Sequence, residues 1–247
     1  MNRSVDSHFS PWLALIVVCL GQFMVVLDAT IVNVALPSIQ TDLVIPDSSL
    51  QWIVNAYTLV FGGFLLLGGR AADLFGRRNL FIAGVTVFSV ASLVNGLASS
   101  EEMLIGARAL QGFGAALMSP AALAVITTSF AEGFERTKAL SIWAAVASGG
   151  SAVGLLLGGI LTEALSWEWI FFINVPIGVG IVVASLRVVP NSHVVGGSRH
   201  FDIAGAISVT AGLLVLVYAI VKAEDFGWGS AWASSRCDRS RARTPCC

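Results

Sequence analysis

Asp28 and Arg108 have the clearest potential for chemistry in this sequence, because each places a charge beside or inside an apolar run. No other charge lies between Ser7 and Thr41, and a charge-free run begins directly after Arg108. Ionisable groups inside apolar spans usually pair with each other and face a bundle interior or an aqueous cavity. We therefore predict that Asp28 and Arg108 face one cavity, close enough to influence each other.

Two interpretations of this pair stay open. In the functional one, Asp28 takes and releases a proton, since a nearby cation favours the ionised form of a carboxyl group and removal from water favours the neutral form. In the structural one, the pair only fixes two helices. Gln111 lies three residues after Arg108 on the same helix face and is the third residue that we assign to this site.

Long apolar runs dominate the rest of the chain. Of its 247 residues, 56% are hydrophobic and 12% are charged, well below the roughly 25% charged residues of soluble domains. Seven apolar runs reach the roughly 18 residues typical of a membrane-spanning helix. The first is residues 12–36, and the other six are residues 48–69, 79–100, 109–131, 139–162, 169–186 and 203–221. A secretory signal is the alternative for the first run, but no small-residue cleavage site follows it. The sequence predicts an all-α polytopic membrane protein.

The loops between these runs differ in charge. With the N-terminus inside, the inner segments hold eight basic residues, namely Arg3, Arg70, Arg77, Arg78, Arg136, Lys138, Arg187 and Arg199. The outer loops between spans hold no basic residue and six acidic ones, namely Asp42, Asp47, Glu101, Glu102, Glu163 and Glu168. Because cytoplasmic loops collect Lys and Arg, we predict a multi-pass protein of the cell membrane with a cytoplasmic N-terminus. Asp28 and Arg108 then lie about 12 and 7.5 Å below the outer surface.

Several classes of function are disfavoured by composition. A net charge of −1 argues against nucleic acid as a partner. The four cysteines, Cys19, Cys237, Cys246 and Cys247, lack metal-ligand spacing, and the three histidines do not cluster. No nucleophile–base constellation indicates an enzyme. We expect no cofactor and no metal, only a proton as coupling ion, with the lipid bilayer and a small organic substrate as partners.

Five motifs resemble those of the major facilitator superfamily, and within it the fourteen-span drug:proton antiporters. They are LDATIVNVALP at residues 27–37, WIVNAYTL at 52–59, GRAADLFGRRNL at 69–80, ARALQGFGAA at 107–116 and WEWIFFINVPIG at 167–178. The resemblance covers residues 12–222 and only the N-terminal half of that family. It implies a six-helix bundle built as a 3+3 inverted repeat plus a seventh helix, proton-coupled efflux, and a C-terminal half as partner. The strings FLLLGG at 64–69 and GLLLGG at 154–159 fit such a repeat.

The segment GRAADLFGRR is predicted to form a loop of about ten residues between spans two and three, with Gly69 and Gly76 allowing tight backbone geometry at its ends. The resemblance implies a conformational latch in which Asp73 pairs with Arg77 or Arg78 in one transport state. Leu74 stands where the family often has a basic residue. Alternatively, these charges only anchor the bundle at the inner membrane surface.

Span five carries Gly150, Gly154 and Gly158 at intervals of four, followed by Gly159. Small residues at this spacing line one helix face and allow two backbones to approach closely. The resemblance implies the helix-packing signature of antiporters, although Leu155 replaces its usual proline. Packing alone is the alternative meaning of such a ridge.

The sequence divides into five predicted segments: a cytoplasmic N-terminus at 1–11, the six-helix bundle at 12–188, a cytoplasmic loop at 189–202, a seventh transmembrane helix at 203–222, and a tail at 223–247. After residue 229 the tail holds four of the fourteen basic residues and three of the four cysteines, which suggests an out-of-frame or truncated end. The alternative is a genuine basic tail on the extracytoplasmic side. Three functions follow: a truncated half of a drug exporter that is inactive alone, a half-transporter that assembles with a second polypeptide, or a non-transporting membrane scaffold or sensor.

Overall fold

The computed structural model describes residues 10–190 and 203–226, and these residues form helices joined by short connections. The helices are α1 (Pro11–Leu43), α2 (Asp47–Phe75), α3 (Arg77–Gly96), α4 (Glu101–Ser129), α5 (Phe134–Ala164), α6 (Trp169–Phe172), α7 (Asn174–Val188) and α8 (Ile203–Phe226). Six spans, formed by α1 to α5 and by α6 with α7, are long and apolar enough to cross a membrane. The all-α polytopic prediction is confirmed. Residues 1–9, 191–202 and 227–247 lie outside the described residues, and so do the predictions made for them.

The helices pair in a way that fits the inverted repeat. The repeat exchanges span one with four, two with five and three with six. Accordingly, α2 packs along α4, and its counterpart α5 packs along α1, while α3 packs against both α4 and α7. The helix predicted as the seventh span, α8, packs on the outside of α2, where Leu214 contacts Gly63.

The connection between α2 and α3 is shorter than predicted. Only Gly76 separates the two helices, and it adopts φ 90°, a conformation that L-residues rarely reach. The ten-residue loop is therefore wrong, and Gly69 lies inside α2 with no turn around it. The reason is that residues 70–75 are mostly good helix formers, so α2 continues beyond its apolar stretch.

The first helix also extends further than predicted, since α1 continues through Pro37 to Leu43 instead of ending at Leu36. Proline is tolerated in membrane helices when neighbouring groups satisfy the freed carbonyl.

The core consists of two apolar clusters that follow one another along α1. The first contains α1 residues from Ala14 to Val25 and the second contains those from Leu27 to Ile39. Asp28 lies at the junction between the two clusters and is fully buried. The polar centre of the molecule therefore sits between two apolar layers, in the interior of the bundle.

Candidate functional site

A hydrogen-bonded network surrounds the Asp28 carboxylate. Arg108 Nη1 donates to Asp28 Oδ2 at 2.6 Å, and Gln111 Nε2 donates to Oδ1 at 2.8 Å. Asn174 Nδ2 donates to the same Oδ1 at 3.0 Å. The structure thus brings together all three residues that the sequence assigned to the site and adds a fourth, Asn174.

Arg108 is held on several sides. Its Nη1 also donates to Gln111 Oε1 at 2.7 Å, and its Nε donates to the Ile53 carbonyl of α2 at 3.2 Å. The guanidinium carbon lies 4.3 Å from the centre of the Tyr57 ring and 5.9 Å from that of Phe171. A guanidinium over an aromatic face is attracted to it, most strongly where water is excluded. The charge is therefore fixed in place by helices other than its own.

Polar residues that sequence reasoning missed form the far side of the network. Asn95 Nδ2 donates to Gln111 Oε1 at 2.7 Å, and Gln111 and Asn174 both donate to Ser92 Oγ, at 3.3 and 3.1 Å. The signal was present, since Ser92 and Asn95 interrupt the apolar run 79–100 and Asn174 lies in the motif at 167–178. Neutral polar residues are common in spans, however, and nothing in the sequence distinguished these three.

Close helix contacts make this convergence possible. A Cβ atom on Gly112 of α4 would collide with the backbone carbonyl oxygen of Tyr57 on α2. One turn earlier, Arg108 reaches the Ile53 carbonyl of the same helix α2. On the opposite side of α4, Gly114 lies against the backbone of Phe88 on α3. Glycine at these points lets three backbones approach closely enough for short polar side chains to meet.

The pair is closed off from its surroundings. The side chains of Asp28 and Arg108 are 0% and 1% exposed, and those of Gln111, Ser92 and Asn174 are also fully buried. The sequence predicted that Asp28 and Arg108 face a cavity, whereas the structure buries both side chains in the interior of the bundle with almost no accessible surface. The rings of Tyr57 and Phe171 beside the guanidinium contribute to this closure. In such surroundings a carboxylate needs its counter-charge and its donors, so a change in its charge forces its partners to rearrange.

The predicted latch residues lie at the connection between α2 and α3. Asp73, in the last turns of α2, forms an ion pair with Arg77, the first residue of α3, at 3.9 Å. Arg78 follows Arg77 in α3, and its buried Nε has no hydrogen-bond partner in the part of the chain that the structure describes. The pair bridges the Gly76 connection and therefore joins two consecutive helices.

The glycine ridge of α5 faces α1. Gly150 lies against Phe23 and Val26, and Cβ atoms on Gly154 and Gly158 would press against the next two turns of α1. These three glycines and Ala139 are the buried residues of α5. Gly159 differs, because a Cβ atom there would have nothing within 4 Å. Three of the four glycines thus form the α1–α5 seam, and Gly159 lies outside it.

Apolar spans, pairings that fit an inverted repeat and a buried acid–arginine pair together define a bundle of the secondary-transporter class. The family model of the Major Facilitator Superfamily matches residues 18–235. The chain therefore belongs to the Major Facilitator Superfamily.

Relatives of this chain are named for drug resistance and export. It is 48% identical to the puromycin resistance protein pur8 of Streptomyces alboniger over 88% of its own length and 43% of that protein. It is 48% identical to the cephamycin export protein CmcT of Amycolatopsis lactamdurans, over 88% of this chain and 45% of that one. It is 39% identical to the multidrug resistance protein Stp of Mycobacterium tuberculosis, over 88% of this chain and 40% of that protein. The chain thus spans less than half the length of these curated relatives.

A solved structure has the same fold. The peptide transporter POT in complex with sulfate superposes with a TM-score of 0.64 at 15% identity, over 92% of this chain and 49% of that one. At this identity the likeness concerns the fold alone.

Proposed function

We propose that this chain is the N-terminal half of a proton-coupled exporter of small, drug-like organic molecules in the cell membrane, with its N-terminus in the cytoplasm. Asp28 carries the proton, while Arg108 and Gln111 hold the Asp28 side chain in place. The observation that carries this proposal is a fully buried carboxylate that accepts hydrogen bonds from Arg108, Gln111 and Asn174.

The proton step follows from the charges of the network. With Asp28 ionised, the buried pair is neutral overall and its hydrogen bonds are charge-assisted, which makes them strong. When Asp28 binds a proton, Arg108 is left as a buried cation without a counter-charge, which is costly. The bundle can relieve this cost by admitting water or by a change of packing, so proton binding is coupled to conformation. Alternating access uses such a change to expose a site to each side in turn.

The kind of substrate is inferred from the names of the relatives and from one apolar cavity. The relatives are named for resistance to, or export of, puromycin, cephamycin and multiple drugs. Between α1 and α5 the structure has a cavity of about 420 Å³ with an apolar lining that includes Trp12, Leu20, Phe23 and Ile142. This volume lies within the range of sites for small organic molecules. A largely apolar drug fits this surface better than a hydrophilic nutrient.

Transport requires a second helical bundle. Alternating access moves one bundle against another around a central site, and this chain spans less than half of its relatives. The outward face of α5 is apolar and exposed at Leu155, Leu156 and Ile160. We therefore infer that this face packs against a C-terminal half, supplied by a longer form of the chain or by a separate polypeptide.

A fusion protein tests the proposal. Residues 1–222 are joined to the C-terminal part of the puromycin resistance relative, and puromycin-driven proton movement is measured in everted membrane vesicles. We expect activity from the fusion and none from the chain alone. Because both contain the same site residues, this comparison tests the need for a second bundle separately from the chemistry of the site.

A matched pair of variants tests Asp28 in this fusion. Asp28→Asn should abolish proton movement while the protein is still made and inserted. Asp42→Asn is the control, because Asp42 lies on the same helix. Among the described residues it accepts one side-chain hydrogen bond, from Trp167 Nε1 at 2.9 Å, and an asparagine oxygen can accept the same bond. An Asp28→Asn fusion that moves protons as well as the Asp42→Asn fusion would refute proton carriage by Asp28.

A further inference from the structure

The sixth span has a one-residue break in its helical hydrogen bonding at the level of the network, although Ile173 keeps helical dihedral angles, φ −60° and ψ −29°. Its first part, α6, is a helix of four residues that ends at Phe172, and α7 begins at Asn174 after the single residue Ile173. Pro176 explains the break, because proline has no N–H to donate to the carbonyl four residues earlier, that of Phe172, and its ring clashes with it. The interruption therefore follows from the local sequence.

Ser92 of α3 bridges the two sides of this break. Its hydroxyl donates to the Phe171 carbonyl at 2.9 Å, and its oxygen accepts from Asn174 Nδ2 at 3.1 Å. Pro176 removes the helical donor of the Phe172 carbonyl, and Ser92 donates to the neighbouring carbonyl, that of Phe171. The break is thus tied to the interior of the bundle by two buried hydrogen bonds.

Asn174 connects the break to Asp28. Its Nδ2 donates to Asp28 Oδ1 at 3.0 Å, in addition to Ser92. Its own Oδ1 is buried and has no hydrogen-bond partner among the described residues. An unpartnered buried carbonyl oxygen is costly, so an apolar side chain here would avoid a penalty that asparagine incurs. The hydrogen bonds that Asn174 Nδ2 donates compensate for the unpartnered oxygen. Because the Asp28 carboxylate can only accept hydrogen bonds, it fixes the orientation of the Asn174 amide.

We propose that Asn174 is a positioning residue for the Asp28 carboxylate and that it links the charge of Asp28 to the break in the sixth span. This proposal rests on the proposed role of Asp28 as the proton carrier. A hydrogen bond to an ionised acceptor is about twice as strong as a neutral one. When Asp28 is neutral, its contact with Asn174 weakens, and the α6–α7 junction loses one of the bonds that fix it.

Two measurements on the purified chain in lipid nanodiscs test this link, and neither needs transport. Infrared spectroscopy detects the carboxylate stretch of Asp28, identified as the band that Asp28→Asn removes. Hydrogen exchange reports the backbone protection of residues 169–175, since Pro176 has no backbone N–H. We expect Asn174→Leu to shift the Asp28 band and to raise exchange at the junction about tenfold, the loss that corresponds to one charge-assisted hydrogen bond. Asp28→Asn should raise exchange at the same residues.

Asn95→Leu is the matched control, since Asn95 is a buried asparagine of the same network that donates to Gln111 Oε1 and to no atom of Asp28 in the described contacts. Because Asn95 reaches Asp28 only through Gln111, this variant should shift the Asp28 band less than Asn174→Leu does and should leave the junction protected. If Asn174→Leu does not fold, Asn174→Ala removes the same donor without adding volume. An unmoved Asp28 band in the folded variant, or equal effects of Asn95→Leu and Asn174→Leu, would overturn the proposal. A fusion that transports with Asp28→Asn would instead refute the proton-carrier role, while the band shift would still establish the contact.

Discussion

Two of the three acid–arginine ion pairs in the described residues lie in opposite surroundings. Asp28 and Arg108 join helices 80 residues apart in sequence at 2.6 Å, and both side chains are buried. Asp73 and Arg77 lie one helical turn apart in sequence at 3.9 Å, and their side chains are 42% and 15% exposed. The same two kinds of charge therefore form a core contact in one place and a contact at the bundle surface in the other.

The difference teaches that environment, and not charge type, sets what each pair does. The buried pair has no water to replace a lost partner, so each charge depends on the other and on amide donors. The Asp73–Arg77 pair is solvated on the side of Asp73, which is 42% exposed, so water can replace Arg77 as its partner at little cost. A contact that is cheap to break suits a latch that opens in each transport cycle, and a contact that is costly to change suits a site where one proton controls packing.

Removing the buried cation should have the largest effect. Arg108→Leu leaves Asp28 as a buried charge without a counter-charge, and we expect a loss of about 3–5 kcal/mol in the free energy of unfolding. The measurement is unfolding of the purified chain by SDS titration in detergent micelles. The double variant Asp28→Asn with Arg108→Leu should regain part of the loss, because no unpaired charge remains. Equal stability of the single and double variants would contradict an electrostatic origin.

The backbone at the surface pair should show an intermediate effect. Gly76→Ala forces an L-residue into φ 90° between α2 and α3, which we expect to cost about 1–3 kcal/mol in the same unfolding assay. Gly69→Ala is the matched control seven residues away. It lies inside α2 with its added Cβ in ordinary contact with Pro120 at 3.7 Å, so it should be neutral or stabilising. A Gly76→Ala chain as stable as Gly69→Ala would show that the connection tolerates another conformation.

The surface pair itself should contribute least. Asp73→Asn removes a partly exposed charge, and we expect a change of at most about 1 kcal/mol in the free energy of unfolding. This change should shrink at about 1 M salt, where solvated charges are screened, whereas the Arg108→Leu loss should persist. A large effect of Asp73→Asn that salt does not alter would place this pair in the same category as the buried one and remove the contrast between them.

Much of the architecture was predictable from the sequence. The six spans of the bundle follow from apolar runs, because the gain from removing apolar side chains from water depends mainly on composition over about twenty residues. The proximity of Asp28 and Arg108 follows from the cost of leaving either charge unpaired in such a run. The spacing of Gly150, Gly154 and Gly158 likewise predicted a packing face, since residues four apart lie on one side of a helix.

Other features were decided only in three dimensions. Asn174 lies 146 residues from Asp28, and Asn95 lies 16 residues from Gln111, so no local pattern relates the partners. Gly159 belongs to the same string as Gly158 but faces away from the seam. Apolar burial is a sum over many residues and survives small errors in register, whereas a hydrogen bond needs two particular atoms within about 3 Å. The amino-acid sequence by itself therefore determined which segments span the membrane and which charges need partners, and only the packed bundle decided which neutral donors complete the site.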